Sequence, residues 1–463
     1  MMKFINTSSE RLIKGACCLL LLAVICCPRA YAYAAPGDTL KISSFDVDAT
    51  PPVGSWLVYD KMINSWDQSL RAKGIVLTGA GDPVVLCVID WIGIANEGYD
   101  EFCKALAEAA GTTPDRVALH ALHQHDAPVC DFGAEQWLKK EGMDPLGFEG
   151  TFAREVIRRL RVAVSGSLKN AKPVTHIGLG QAEVHNVASN RRIVGENGKV
   201  IASRTSATKS AEVREKPEGL IDPVVSLISF WNNDKPVAVL SYYATHPQSY
   251  YRTGVANPDI PGVARFFRQL AVPDALHLHF NGAGGNITVG KYNDGSHENR
   301  LLLAERLADG MQRAWKQTNK EKITAADVTW RTTPVALPPK ASLNGLGELL
   351  HKETSVFVAN NASKLVWLER TKKGKKISLS CLGIGKARMV HLPGECFIEY
   401  QLAAKAMRPD LFVTVAAYGD YAPGYIGTAA AYDEGGYETG QASAVTADAE
   451  KVLLGAMRKL LAR

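Results

Sequence analysis

Strands and helices alternate along this sequence, and the alternation predicts an α/β fold: a mixed β-sheet core with flanking helices in one catalytic domain. Three observations carry the expectation. Apolar segments with a period of two, such as Val117 to His125 and Val237 to His246, read as half-buried strands. Segments with helical spacing, Tyr99 to Ala110 and Phe152 to Leu168 among them, lie between the strands. Turn-forming clusters punctuate them, as in Gly79-Ala80-Gly81-Asp82-Pro83 and Asn232-Asn233-Asp234-Lys235-Pro236. Composition agrees: 46% hydrophobic and 22% charged over 463 residues excludes a disordered chain, a collagen and a coiled coil.

Taken in order, the chain opens on an address. Lys3, Arg11 and Lys14 form a basic stretch, and an unbroken apolar run follows from Ala16 to Cys27. Pro28 ends it, and Ala30-Tyr31-Ala32 offers the small residues signal peptidase needs. Residues 1–35 therefore read as a cleaved signal peptide, and residues 36–463 as a secreted or periplasmic domain. A lipoprotein signal at Cys26 or Cys27 is the competitor, but Ala23-Val24-Ile25 lacks the small residue such a site prefers. The run is too short for a stable membrane span, and no second one occurs. The net charge is +6, and the leader, with four cations against one anion, carries half of it. A dispersed +3 gives no argument for nucleic acid.

The segment Gly74 to Ile94 reads as two strands around the Gly79–Pro83 turn. Val224 to Trp231 and Val237 to His246 read as a hairpin. Leu276 to Phe280 is a short strand running into Gly282-Ala283-Gly284-Gly285. That turn does not meet the phosphate-loop or dinucleotide patterns. Ser296 is a candidate cap for a helix reaching Gln317. Met389 to Leu392 and Phe412 to Ala417 are further strands, and Val445 to Leu461 is a closing helix. Gly195 to Gly219 and Leu337 to Lys376 read as excursions, the second carrying a basic run, Lys372 to Lys376, of the kind that forms a solvated turn. No strong internal repeat is visible. A boundary near residue 320 is the alternative to one domain, but strand-like segments continue beyond it. Cys87, Cys103, Cys130, Cys381 and Cys396 remain after the leader, an odd number without a CxxC pair, which is neither a disulfide framework nor a zinc finger.

The chemistry gathers at strand ends. His123 and His125 share the strand face set by Val117, Leu119 and Ala121 under the period of two. His120 points the other way, as a core or surface histidine. His246 ends a second strand, Glu395 follows a third, and the segment Tyr418 to Tyr425 follows a fourth. Ligands of open α/β sheets gather at carboxyl ends of strands. Imidazole nitrogen with carboxylate and phenolate oxygen suits zinc with an open position. The bland readings stand beside this: hydrogen-bonded surface histidines, a helix-terminal Glu395, a packing Tyr425. Asp90, in an apolar strand, either orients a ligand histidine or is a buried structural carboxylate.

The wording of these segments resembles the catalytic domain of the neutral/alkaline ceramidase family. Leu122-His123-Gln124-His125-Asp126-Ala127-Pro128 resembles its T-H-T-H-S-G-P, and Tyr243-Ala244-Thr245-His246 its F-A-T-H. "FNGAGGNIT", Phe280 to Thr288, resembles its Gly-Asp-Val-Ser segment, and Leu392-Pro393-Gly394-Glu395 its P-G-E. Gly424-Tyr425-Ile426-Gly427-Thr428 and Gly436-Tyr437-Glu438 resemble its Y-V-T-T and R-Y-E. The match runs in order over roughly residues 40 to 463. It implies zinc held by His123, His246, Glu395 and Tyr425, with His125, Arg191 and Tyr437 around the reacting carbonyl and Thr288 at the family's serine. It further implies zinc-activated water cleaving the amide of an N-acyl lipid such as ceramide. The partner is then a small-molecule or lipid acyl amide, which leaves room for peripheral membrane contact. Several positions depart from the pattern: Thr288 replaces Ser, Asn286 replaces Asp, Asp126 adds a charge, and the family's C-terminal immunoglobulin-like domain has no counterpart before Arg463. The alternatives are an esterase or deacylase on another acyl compound, or a non-catalytic lipid- or glycan-binding relative.

Overall fold

Three times along the chain, three antiparallel strands are followed by a helix, a parallel strand and a second helix. The computed structural model describes residues 39–65, 67–350 and 356–462, so the leader expectation lies outside the described residues. The first repeat pairs Lys41–Asp48, Arg71–Thr78 and Val84–Ile89 antiparallel, then adds Val117–Ala121 parallel to Val84–Ile89. The second pairs His176–Glu183, Val224–Asn232 and Lys235–Tyr243, then adds Leu276–Asn281 in parallel. The third pairs Val328–Val335, Ile377–Ile384 and Ala387–His391, then adds Phe412–Ala416 in parallel. The crossover helices are Asn96–Ala110, Asp259–Ala271 and Ile398–Met407. The second helices are Thr151–Leu168, Glu298–Lys316 and Ala449–Leu461. The fold is mixed α/β, and Ala34–Arg463 cluster as one compact unit. The repeat escaped the sequence because it conserves hydrophobic pattern and element order, not residue identity.

Packing explains the pattern. One face of each sheet meets the other two in a shared core, with Ile75, Leu86 and Val88 from the first sheet, Phe230, Leu240 and Phe280 from the second, and Leu382 and Met389 from the third. The opposite faces are covered by helices. Phe102 and Leu106, one turn apart, pack on the first sheet with Val156 and Leu160. Ile260, Leu303 and Leu307 cover the second sheet, and Tyr400, Leu453 and Met457 the third. Both faces being covered, Val84–Ile89 is buried throughout and reads as a continuous apolar run. Each such side chain contributes about 1.5–3 kcal/mol.

Several boundaries move. The strand from Val117 stops at Ala121, and His123 takes a left-handed φ of 73°. The strand before His246 stops at Tyr243. The hairpin turn is as expected, with Asn232 opposite Lys235 and Asn233 at φ 54°. Ser296 does not cap the following helix: its hydroxyl bonds Asp294, and the helix starts at Glu298 after an uncapped His297. The closing helix begins at Ala449. The excursion after residue 337 forms the helix Val356–Lys372, packed on the helix Phe132–Lys140. The five cysteines among the described residues are buried, and none forms a disulfide.

Candidate metal centre

Each sheet delivers side chains from the carboxyl end of its parallel pair to one place. His123 and His125 follow Val117–Ala121. His246 follows Lys235–Tyr243. Glu395 follows Ala387–His391 and opens a two-residue parallel ladder in which it lies opposite Tyr425. The backbone must approach closely here: a Cβ on Gly394 would sit 2.5 Å from the Gly424 carbonyl, and Gly394 itself has φ 53°.

His123 and His246 are buried, and Glu395 with them. The Nδ1 of His123 lies 2.7 Å from the Ile92 carbonyl, which turns Nε2 toward Glu395. Nε2 faces Oε2 of Glu395 at 3.2 Å, and neither atom bonds any other group. Oε2 is also 3.9 Å from Nδ1 of His246. Nε2 of His246 and Nε2 of His125 stand 3.1 Å apart. Buried polar atoms are nearly always satisfied, and a cation between these two would satisfy both. His123, His125 and His246 hold ring nitrogens within 4.8 Å of one another and could hold a metal ion. Glu395 and Tyr425 adjoin this trio.

The electrostatics agree. Burial, then the Arg191 charge and the neighbouring imidazoles, holds His246 well below its ordinary value. Burial and His123 do the same for His125. Both rings are neutral, as ligands must be. Burial pushes the Glu395 carboxyl up, but His123, Tyr421 and Arg191 outweigh it and leave it below its ordinary value. Burial and the Glu395 charge raise the Tyr425 phenol far above its own.

Arg191 donates from Nη1 to the Tyr425 hydroxyl at 3.1 Å, and Tyr437 lies 3.5 Å from that hydroxyl. Arg192 points away into Glu438 and Glu434, which separates the two adjacent arginines. Two tyrosines escaped the sequence reading. Tyr421 donates to Oε1 of Glu395 at 2.7 Å, and the Tyr59 hydroxyl meets Nδ1 of His125 at 3.1 Å. Tyr421 lay inside the strand-end segment Tyr418 to Tyr425; nothing near Tyr59 signalled it. Tyr418, with φ 62°, stacks on His123 at 4.4 Å. A cavity of about 590 Å³ opens onto these groups, with Val58, Ile92, Val129 and Phe148 on its apolar side.

No protein-family model and no curated protein matches the sequence. Solved structures do. The neutral ceramidase from Pseudomonas aeruginosa matches with a TM-score of 0.67 at 15% identity, over 91% of this chain and 74% of that one. A ceramidase complexed with C2 matches at 0.66 and 15% identity, over 91% and 75%. The chain has the neutral ceramidase fold.

On that ceramidase fold, the departures from the family's wording fall outside the cluster of His123, His125, His246 and Glu395. Thr288 does not line the cavity; its hydroxyl bonds the Thr205 carbonyl and the Gly290 amide. Asn286 accepts from the Ile398 amide at 2.8 Å and donates to Glu399 at 2.9 Å, so it caps a helix whose Phe397 offers no cap. Asp126 does not face the imidazoles. Its carboxylate pins the Arg252–Thr253 turn, and burial pushes it up to about 6. Asp90 is the structural carboxylate, paired with Arg265 at 2.6 and 2.8 Å.

Proposed function

We propose that this protein is a zinc-dependent hydrolase that cleaves the amide bond of a ceramide-like N-acyl lipid. The observation that carries the reading is the buried His123 Nε2 facing Glu395 Oε2 at 3.2 Å beside His246, with neither atom bonded to any other group. The likeness to ceramidase structures supports it. Zinc bound there would polarise the amide carbonyl and bring the acidity of water to near neutrality.

The chain's own residues supply the rest. Water oxygen bonds the acyl carbon, the C–N bond breaks, and the amine nitrogen leaves with a proton. Arg191 and Tyr437, beside the Tyr425 hydroxyl, stand where negative charge develops on the carbonyl oxygen. His125 moves the proton: its Nε2 faces the site while the Tyr59 hydroxyl holds Nδ1. Val58, Ile92 and Phe148 cover the acyl chain and exclude water. The basic, then apolar, leader supports action outside the cytoplasm.

The test is metal analysis with amidase assays on short-chain ceramide. The expected result is about one zinc per chain in the parent, with zinc and activity lost together in His246→Ala. Full activity in a metal-free parent overturns the reading. The ester of the same acyl chain serves as the control for an esterase.

A further inference from the structure

The cavity has a second wall that the hydrolytic chemistry does not use. It comes from the helix Val356–Lys372, which contributes Asn360, Asn361, Ser363 and Lys364, and from Gln441. These side chains are polar, whereas Val58, Ile92, Val129 and Phe148 of the same lining are apolar.

Two ammonium groups meet behind it. Lys364 donates to the Gln441 carbonyl at 2.6 Å. Lys340 donates to the carbonyls of Thr439 and Gly440 at 2.6 and 2.5 Å. Among the described residues no carboxylate pairs with either. Lys405 and Lys73, by contrast, meet Asp222 and Asp46, while Lys291 is held as Lys364 and Lys340 are, by carbonyls alone. Each ammonium carries three donors, and carbonyl contacts leave its charge uncompensated. The two repel each other. Burial, then Lys340, pushes Lys364 down to about 8, and burial lowers Lys340. Lys364 therefore brings to the cavity a half-buried positive charge with no carboxylate partner among the described residues.

We propose that Lys364, backed by Lys340, is an anion-recognition site on the wall of the reaction cavity, and that the substrate is an N-acyl amide whose amine half carries a carboxylate or a phosphate. The proposal rests on the amide-hydrolase reading and narrows it. The acyl chain lies along Val58, Val129 and Phe148, the amide reaches the imidazoles, and the anion meets the lysine. The amine half of a ceramide, which carries hydroxyls and no anion, leaves the lysine without a counter-charge.

The probes are N-lauroylglycine, its methyl ester, and N-lauroyl phosphoethanolamine. Equilibrium binding and kcat/KM are both measured on the metal-loaded protein. Expected is a preference of roughly tenfold or more for an anionic probe over the neutral ester, weakening with salt. Lys364→Met should cut that preference about tenfold, and Lys364→Arg should keep most of it. Which anionic probe wins identifies the group. Equal binding of ester and acid, or a preference untouched in a folded Lys364→Met, overturns the anion site. If the anionic probes bind preferentially but no amide is cleaved, the anion site stands and the hydrolase reading falls. If only the neutral ester and ceramide turn over, the reverse holds.

Discussion

Glu395 faces an imidazole nitrogen at a distance where a proton or a cation belongs. With Nδ1 of His123 committed to the Ile92 carbonyl, a shared proton there requires an imidazolium or a neutral carboxyl. Replacing the carboxylate by an amide supplies the proton directly. Glu395→Gln therefore acts in opposite directions on two observables. Metal affinity should fall at least 10–100-fold, the loss typical even for residues supporting a ligand. The chelated variant should melt above the chelated parent, because a hydrogen bond worth about 1 kcal/mol replaces an unsatisfied contact. Metal analysis and paired melting curves check both, and full metal retention in the variant removes Glu395 from the centre. His123 and Tyr418 add strain, each in left-handed backbone that costs roughly 1–3 kcal/mol.

At the scale of elements, the sequence carried the strands and helices but not their last residues. Alternation from Val117 correctly implied a buried strand and correctly sent His123 and His125 to its end. It could not register the left-handed turn at His123, since only backbone geometry distinguishes a strand that continues from one that stops. The Glu395–Tyr425 ladder is two residues long on each side, too short for any periodicity, and was legible only through the family's wording. Tyr59 joins the site from a loop far away in sequence, where no spacing rule reaches. The helix Val356–Lys372 was read as an excursion, because its role depends on one contact set. Asp131 accepts from Ser363 Oγ and Asn96 Nδ2, both at 2.6 Å, while capping the helix Phe132–Lys140 through Gly133 and Ala134. Ser363→Ala removes one of these ties, worth about 1–2 kcal/mol where the acceptor is buried. Amide exchange should quicken across residues 356–372 and stay unchanged in 96–110. Uniform quickening of both would mean that the helix is not held by this tie.

For the whole molecule, the three repeats touch at a point that couples them. His120 from the first sheet lies 5.9 Å from Phe280 of the second and 5.3 Å from His391 of the third, ring to ring. Nδ1 of His120 meets the Ala417 carbonyl at 2.7 Å, beside the last strand of the third sheet. A charge here is buried among all three sheets at once. Burial lowers His120 to about 4, against the opposing pull of that carbonyl, and burial with His120 lowers His391. The unfolded chain takes its protons near pH 6.5, so between there and about 4 only the unfolded state binds one at His120. The contribution is fully present above 6.5 and is lost as pH falls toward 4, amounting to about 3 kcal/mol for His120. Asp420, raised by burial to about 6, works in the opposite direction and blurs the profile of the parent alone. Comparison with His120→Gln cancels it, because glutamine can keep the bond to Ala417 without titrating. Urea midpoints measured from pH 7 to pH 4 should show the parent losing about 3 kcal/mol relative to this variant. A difference constant across that range would mean that the junction opens to water before the histidine protonates, and that the three sheets are not held there as one unit.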